Sequence, residues 1–311
     1  PHPLPQPPAV CLRIRPLPPS PTPSPAPTAV VTQTGPDAAT LARPFGARST
    51  VARLSAVLDA AVNQDELYER AGRGAVQSAL EGYDGTLLAY GATGAGKSHS
   101  VWGPRELYDN DGAWEALIVA RTADELPPAA GLLPRAIHHL FAALTARQAA
   151  GSGRARVTIS MLQLYAESLF DMAAGVGGGG GGGSGAPTSA RSSRFDAGAG
   201  KALPLREEAG GRVIVPDAAV HVVTSPQAAL RCLRAGILSR FTAPTACNDA
   251  SSRSHAIVRI FLTLAPPPTS DLLTVPPPPT RDSTLTIVDL AGSERLRRLR
   301  LPVRLSVVGW D

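Results

Sequence analysis

The sequence has no uninterrupted apolar run of about 18 residues or more, which excludes a transmembrane helix, and no membrane partner is expected. Its first residues are proline-rich and lack a basic start and an apolar stretch, so no secretory signal is expected. Cysteine is scarce. Cys11, Cys232 and Cys247 are odd in number, widely spaced and form no CxxC pair. That excludes a disulfide framework or a zinc knuckle and suits a reducing compartment. His2, His138, His139 and His221 show no ligand spacing to cysteine or carboxylate and read as ordinary surface or core residues. There is no heptad segment, hence no dimerising stalk, and the oligomeric state is not set by the sequence. The net charge of +5 is misleading, because Arg295, Arg297, Arg298, Arg300 and Arg304 crowd the last residues against the single acid Asp311. Without that tail the charges nearly balance. A nucleic-acid partner would rest on the tail alone and is not expected.

What remains is a chain of 311 residues, 43% hydrophobic and 18% charged, with enough apolar material for a buried core. Proline takes 12 of the first 28 positions, which makes residues 1–8 a disordered start and 17–28 a loop. Between them Ala9 to Pro16 reads as a strand ended by proline. Residues 173–202, with consecutive glycines from Gly177 to Gly183, read as a disordered insertion. Two proline runs make 266–279 another loop. The rest alternates helix and strand. Gln64 to Leu80 places Leu67, Ala71, Ala75, Val76, Ala79 and Leu80 on one helical face, with Gly82 as a stop. Thr86 to Tyr90 is a strand, and Leu132 to Leu144 a helix with Leu133, Ile137, Leu140, Phe141 and Leu144 inward. Val157 to Tyr165 is a strand, and Ser225-Pro226 starts a helix running to about Arg240. Ala256 to Leu264 and Thr284 to Asp289 are nearly continuous apolar strands, as expected in the middle of a covered sheet. The class is α/β.

The segment Gly91-Ala92-Thr93-Gly94-Ala95-Gly96-Lys97-Ser98 fits GxxxxGK[ST] in full and follows a strand, as a phosphate-binding loop requires. Glycines turn backbone amides inward to cradle a polyphosphate. Lys97 would neutralise the β- and γ-phosphates and the Ser98 hydroxyl would ligate Mg²⁺. The bland alternative is a glycine-rich turn. Asp289-Leu290-Ala291-Gly292 ends an apolar strand as a DxxG sensor does, with Asp289 holding Mg²⁺ through water and the Gly292 amide sensing the γ-phosphate. Taken alone, Asp289 could be a turn residue, and Asn248 to His255 a solvated serine-rich loop. In this order the three segments reinforce one another.

These residues resemble the kinesin motor domain. Ala79 to Tyr90 resembles the family's approach to its P-loop, Asn248 to His255 its switch I (NxxSSRSH) and Val288 to Arg295 its switch II (VDLAGSER). Leu12 to Pro16 resembles the RxRP strand, and Gly131 to Ala136 and Leu164 to Glu167 two further signatures. Myosin also has an SSR switch but continues SSRFG and lacks LAGSE. The resemblance implies a P-loop NTPase fold with a mixed central sheet flanked by helices, spanning residues 9–295. It implies an ATP-hydrolysing, microtubule-stimulated motor of the cytoplasmic cytoskeleton, with ATP and Mg²⁺ as ligands and tubulin as partner. Arg13, Arg15 and Pro16 would wall the adenine and His99 would stack on it. The base-reading NKxD of a GTPase is absent. Ser251 and Ser252 would close over the γ-phosphate and Mg²⁺, assisted by Asn248, and Arg253 would pair with Glu294 across the switches. With no strong base at hand, hydrolysis would depend on positioning a water.

Several residues depart from the family. Ala92 stands where many kinesins have glutamine, Leu88 where phenylalanine is common, and Ala166 where asparagine is frequent; Ser98 for threonine keeps the hydroxyl. After Arg295 the chain matches none of the helices that carry microtubule contact in the family, so residues 296–311 are set apart as an unrelated arginine-rich tail. The expected picture is a motor domain cut off after switch II, as a misread exon boundary would produce. The alternative is a non-motile nucleotide- or tubulin-binding remnant.

Overall fold

The computed structural model describes residues 9–15, 31–42, 48–51, 54–173, 202–208, 211, 213–241, 253–267, 279–293 and 305–310. The segments 1–8 and 17–28, most of the tracts 173–202 and 266–279, and Pro16, Asn248, Ser251, Ser252 and Glu294 lie outside the described residues.

Strand β1 (Ala9–Ile14) leads to a small antiparallel sheet of β2 (Val31–Gln33), β3 (Ala39–Ala42) and β4 (Arg48–Val51), after which β5 (Ala56–Leu58) pairs parallel with β1. Helix α1 (Gln64–Leu67) starts at Asn63, whose side chain accepts the Glu66 N–H at 2.8 Å. The helix predicted over 64–80 is continuous but not uniform: it widens into a π-turn at Tyr68–Gly72 before α2 (Arg73–Glu81). The wide turn holds the buried Tyr68 ring, whose hydroxyl meets His139 Nδ1 at 2.7 Å. Gly82 stops the helix in the left-handed region at φ 93°, as its position predicts.

Strand β6 (Gly85–Gly91) feeds α3 (Lys97–Val101), followed by α4 (Glu106–Asp109), α5 (Asp111–Val119) and the long α6 (Leu132–Ala149). A Cβ on Gly131 would lie 2.5 Å from the Gly103 nitrogen. Only glycine therefore lets the start of α6 cross the chain leaving α3. The five residues predicted to face inward on α6 are all buried. A hairpin of β7 (Arg154–Tyr165) and β8 (Ser168–Asp171) comes next, then the two-residue strands β9 (Arg206–Glu207) and β10 (Val213–Ile214), and β11 (His221–Val223). Helix α7 (Pro226–Phe241) is capped as predicted, with Ser225 Oγ accepting the Ala228 N–H at 3.1 Å. The chain closes with β12 (His255–Ala265), β13 (Arg281–Asp289) and β14 (Leu305–Trp310).

The main sheet runs β11-β7-β12-β13-β6-β14-β1-β5, with β8 paired to β7. It is mixed: β1–β5 and β6–β13 are parallel and the other pairs antiparallel. Helices α2 and α3 pack on β6 and β13, and α6 and α7 on β7. Their side chains meet Leu87, Ala89, Val258, Ile260, Leu285 and Ile287 in the main core. Among the described residues β12 and β13 are packed on one face. Burial alternates strictly along both strands, which is the signature of a sheet packed on one side only. Ile257, Phe261 and Val288 are half-buried, Leu88 is 36% and Tyr90 50% exposed, and the Arg259 guanidinium lies 4.7 Å over the Phe261 ring. The tail also differs from the sequence reading. Its residues 305–310 enter the sheet as β14, antiparallel to both β1 and β6, where they satisfy ladder groups that would otherwise face each other unpaired.

Candidate nucleotide site

The phosphate loop hangs from the end of β6. Gly94 and Gly96 have φ of 73° and 98°, and Gly96 caps α3 from the left-handed region. This conformation needs glycine and turns the loop's backbone inward. Lys97 is only 7% exposed, and its ammonium donates to the Gly91 and Ala92 carbonyls at 2.8 and 2.9 Å. It spans the base of the loop, where a phosphate oxygen would compete for the same protons. Thr93 and Gly94 are exposed at the tip, while Ala95 is buried and its N–H returns to the Ala92 carbonyl at 3.0 Å.

Behind the loop the structure brings together residues far apart in sequence. Ser98 Oγ donates to Asp289 Oδ2 at 2.7 Å, and Arg240 Nη1 donates to the same oxygen at 2.6 Å. Both Arg240 and Asp289 are fully buried. Arg240 also donates through Nη2 to the Ser254 carbonyl at 2.8 Å, tying the last turn of α7 to the residue before β12. Asp289 Oδ1 is buried without a hydrogen-bond partner among the described residues. A charged oxygen left bare in a protein interior is costly. It fits a site that receives a hard cation's water, since Mg²⁺ keeps several waters and takes few protein oxygens. A hydroxyl and a carboxylate in contact, one with an unused oxygen, are the donor set such an ion needs.

The segment following β13 is tied back to the loop. The Leu290 N–H reaches the Ala89 carbonyl at 3.3 Å and the Ser293 N–H reaches the Gly91 carbonyl at 3.1 Å, which holds Gly292 beside the loop. The Ala291 N–H donates to His255 Nδ1 at 3.2 Å. Burial first, then the Arg240 charge, holds the His255 imidazole below its usual value and so neutral, as an acceptor at Nδ1 must be.

On the other flank, Arg13 Nη1 donates to Gln64 Oε1 at 3.0 Å and Ser100 Oγ at 2.8 Å, and Nη2 to the Val62 carbonyl at 3.4 Å. Burial lowers the Arg13 guanidinium from its usual value. Arg15 Nη1 donates to the Gly94 carbonyl. Gln64 Nε2 donates to the His99 carbonyl at 2.6 Å and lies 3.2 Å from His99 Nδ1. Burial, followed by the charges of Arg13 and Arg15, lowers His99.

The residues from Gly91 to Ser98, Asp289 and Gly292 thus converge on one place, with Arg13, Arg15 and His99 on one side of it. Arg253 is exposed just ahead of Ser254. The sequence reading missed Arg240, Ser254, Gln64 and Ser100. An arginine in the last turn of a helix reads as a complement to the helix dipole, and only the fold shows its carboxylate partner.

The family model that matches is described as the kinesin motor domain and covers residues 13–301. A kinesin-like protein KIN-5C of Arabidopsis thaliana is 31% identical over 244 residues, 78% of this chain and 21% of that protein. A kinesin-like protein KIF21B of Homo sapiens is 30% identical over 261 residues, 78% of this chain and 14% of that protein. The chain spans about a fifth or less of these relatives' length. A solved structure of a fast kinesin superposes with a TM-score of 0.64 at 26% identity, covering 88% of this chain and 62% of that one. With the family model matched from residue 13 to 301, a span that includes the phosphate loop and Asp289, the chain belongs to the kinesin motor-domain family.

Proposed function

We propose that the chain is the nucleotide-hydrolysing part of a microtubule motor, a Mg²⁺-dependent ATPase of the cytoskeleton. The observation that carries this reading is the contact of Ser98 with the fully buried Asp289, one of whose oxygens is unpartnered beside the phosphate loop. Ser98 and Asp289, together with Ser252, would hold Mg²⁺, which when bound neutralises charge on the β- and γ-phosphate oxygens. Lys97 exchanges its two carbonyl acceptors for phosphate oxygens. Loop amides between Gly91 and Ser98 carry the remaining phosphate charge, and Arg13, Arg15, Pro16 and His99 take the adenine. Asn248, Ser251 and the Gly292 amide close on the γ-phosphate, and an Arg253–Glu294 pair joins the two switches while it is present. Its loss releases Gly292 and its neighbours, which reach the loop through two backbone bonds.

The test is ATP binding and microtubule-stimulated turnover by the 311-residue chain beside its Lys97→Ala variant. Loss of ATP binding on substitution is expected, by about a hundredfold or more; unchanged affinity removes the site assignment. In a motor with turnover, Glu294→Ala spares binding and blocks hydrolysis.

A further inference from the structure

The side chain of Gln64 touches two of the residues placed on the base side of the nucleotide, Arg13 and His99. It is 3% exposed. Its amide orientation is fixed by chemistry: Oε1 faces Arg13 Nη1, which can only donate, and Nε2 faces the His99 carbonyl, which can only accept. The same Nε2 lies 3.2 Å from His99 Nδ1. A ring nitrogen facing an amide donor must be the unprotonated one, so His99 carries its proton on Nε2, pointing away from Gln64. Gln64 is itself held from both sides. Asn63 caps the helix that begins at Gln64, and the buried Arg135 pairs with Asp65. The Arg135 Nε–H is anchored on the Ala130 carbonyl at 3.0 Å.

We propose that Gln64 is the positioning residue for the base side of the nucleotide site, fixing the Arg13 guanidinium and the His99 ring tautomer in one arrangement. The proposal rests on the reading of the site as one for ATP. It makes a demand that a merely structural glutamine does not meet. Loss of Gln64 must weaken binding of the base and leave binding of the phosphates alone.

The full 311-residue chain is titrated with Mg²⁺-ATP and with Mg²⁺-tripolyphosphate, which lacks the base and ribose. Gln64→Leu, of similar volume, is expected to lose about tenfold in ATP affinity with tripolyphosphate affinity unchanged. Gln64→Glu keeps the acceptor for Arg13 but sets a carboxylate against the His99 carbonyl, so an intermediate loss confined to ATP is expected. Should Gln64→Leu not fold, Gln64→Glu carries the comparison by itself. Equal losses for both ligands, or no loss for ATP, overturn the proposal. The imidazole ¹⁵N spectrum without nucleotide supplies a second reading. A single Nε2–H tautomer of His99 is expected in the unsubstituted chain and a mixture in Gln64→Leu, whereas an Nδ1–H tautomer in the unsubstituted chain overturns the proposal. If the unsubstituted chain binds neither ligand, the nucleotide reading fails, and the tautomer still decides for or against Gln64.

Discussion

Asp289 is the residue on which most of the site turns, and its burial makes it sensitive. Without Arg240 its charge would have no compensating partner in the interior. Arg240→Ala is therefore expected to destabilise the chain by about 3–5 kcal/mol in urea unfolding. The paired change Arg240→Met with Asp289→Leu should recover much of that loss, because apolar groups of similar volume need no partner. A second residue-scale prediction concerns the β7–β8 turn, where Ala166 and Glu167 have φ of 47° and 63°. The left-handed region costs an L-residue about 1–2 kcal/mol, and asparagine tolerates it better. Ala166→Asn should raise stability by about 0.5–1 kcal/mol, read as a higher thermal midpoint. At this scale the sequence was partly legible. Lys97, Ser98 and Asp289 are singled out by glycine spacing and a strand end, and the fold brings Ser98 and Asp289 into contact beside Lys97. Arg240 and Gln64 are not singled out. Each is an ordinary residue on a helix until the fold brings its partner from 49 and 35 residues away.

Among the elements, the helices were readable from 3.6-residue periodicity and their stops, and α6 and α7 appear where caps and apolar spacing put them. The π-turn in the first helix was not, because it answers to a tertiary demand, room for Tyr68 against His139. Strands β12 and β13 lie where their apolar runs put them, and their outward positions carry Ile257, Phe261 and Val288, so the run conceals an alternation of burial. Among the described residues, the helices packed on the sheet lie on its other face. The face with Leu88, Tyr90 and Phe261 is accordingly expected to limit solubility. Leu88→Thr with Tyr90→Thr should reduce light scattering on concentration. The thermal midpoint should hardly move, since both side chains are already in solvent. A large fall in the midpoint would mean that this face is covered in solution.

For the molecule as a whole, acid is the foreseeable stress. His99, His138, His139 and His255 are all held below the usual value of 6.5, chiefly by burial. His138 is 2% exposed, and neither ring nitrogen is bonded among the described residues. The unfolded chain therefore binds more protons than the folded one once the pH drops below about 6.5. Stability is full above that value and is lost as the pH falls towards the depressed folded values. Urea midpoints at pH 7.5 and 5.5 should differ in that sense, and His138→Gln should shrink the difference. Strand β14 has a directional consequence. Leu305 pairs with Ile14 beside the phosphate loop, and Trp310 pairs with Ala9 at the opposite pole of the sheet. Its antiparallel course carries the polypeptide about 17 Å away from the phosphate loop. A parallel strand in the same slot would deliver the chain to the loop. A rigid arm fused after β14 would therefore leave the molecule from the end of the sheet opposite the phosphate loop.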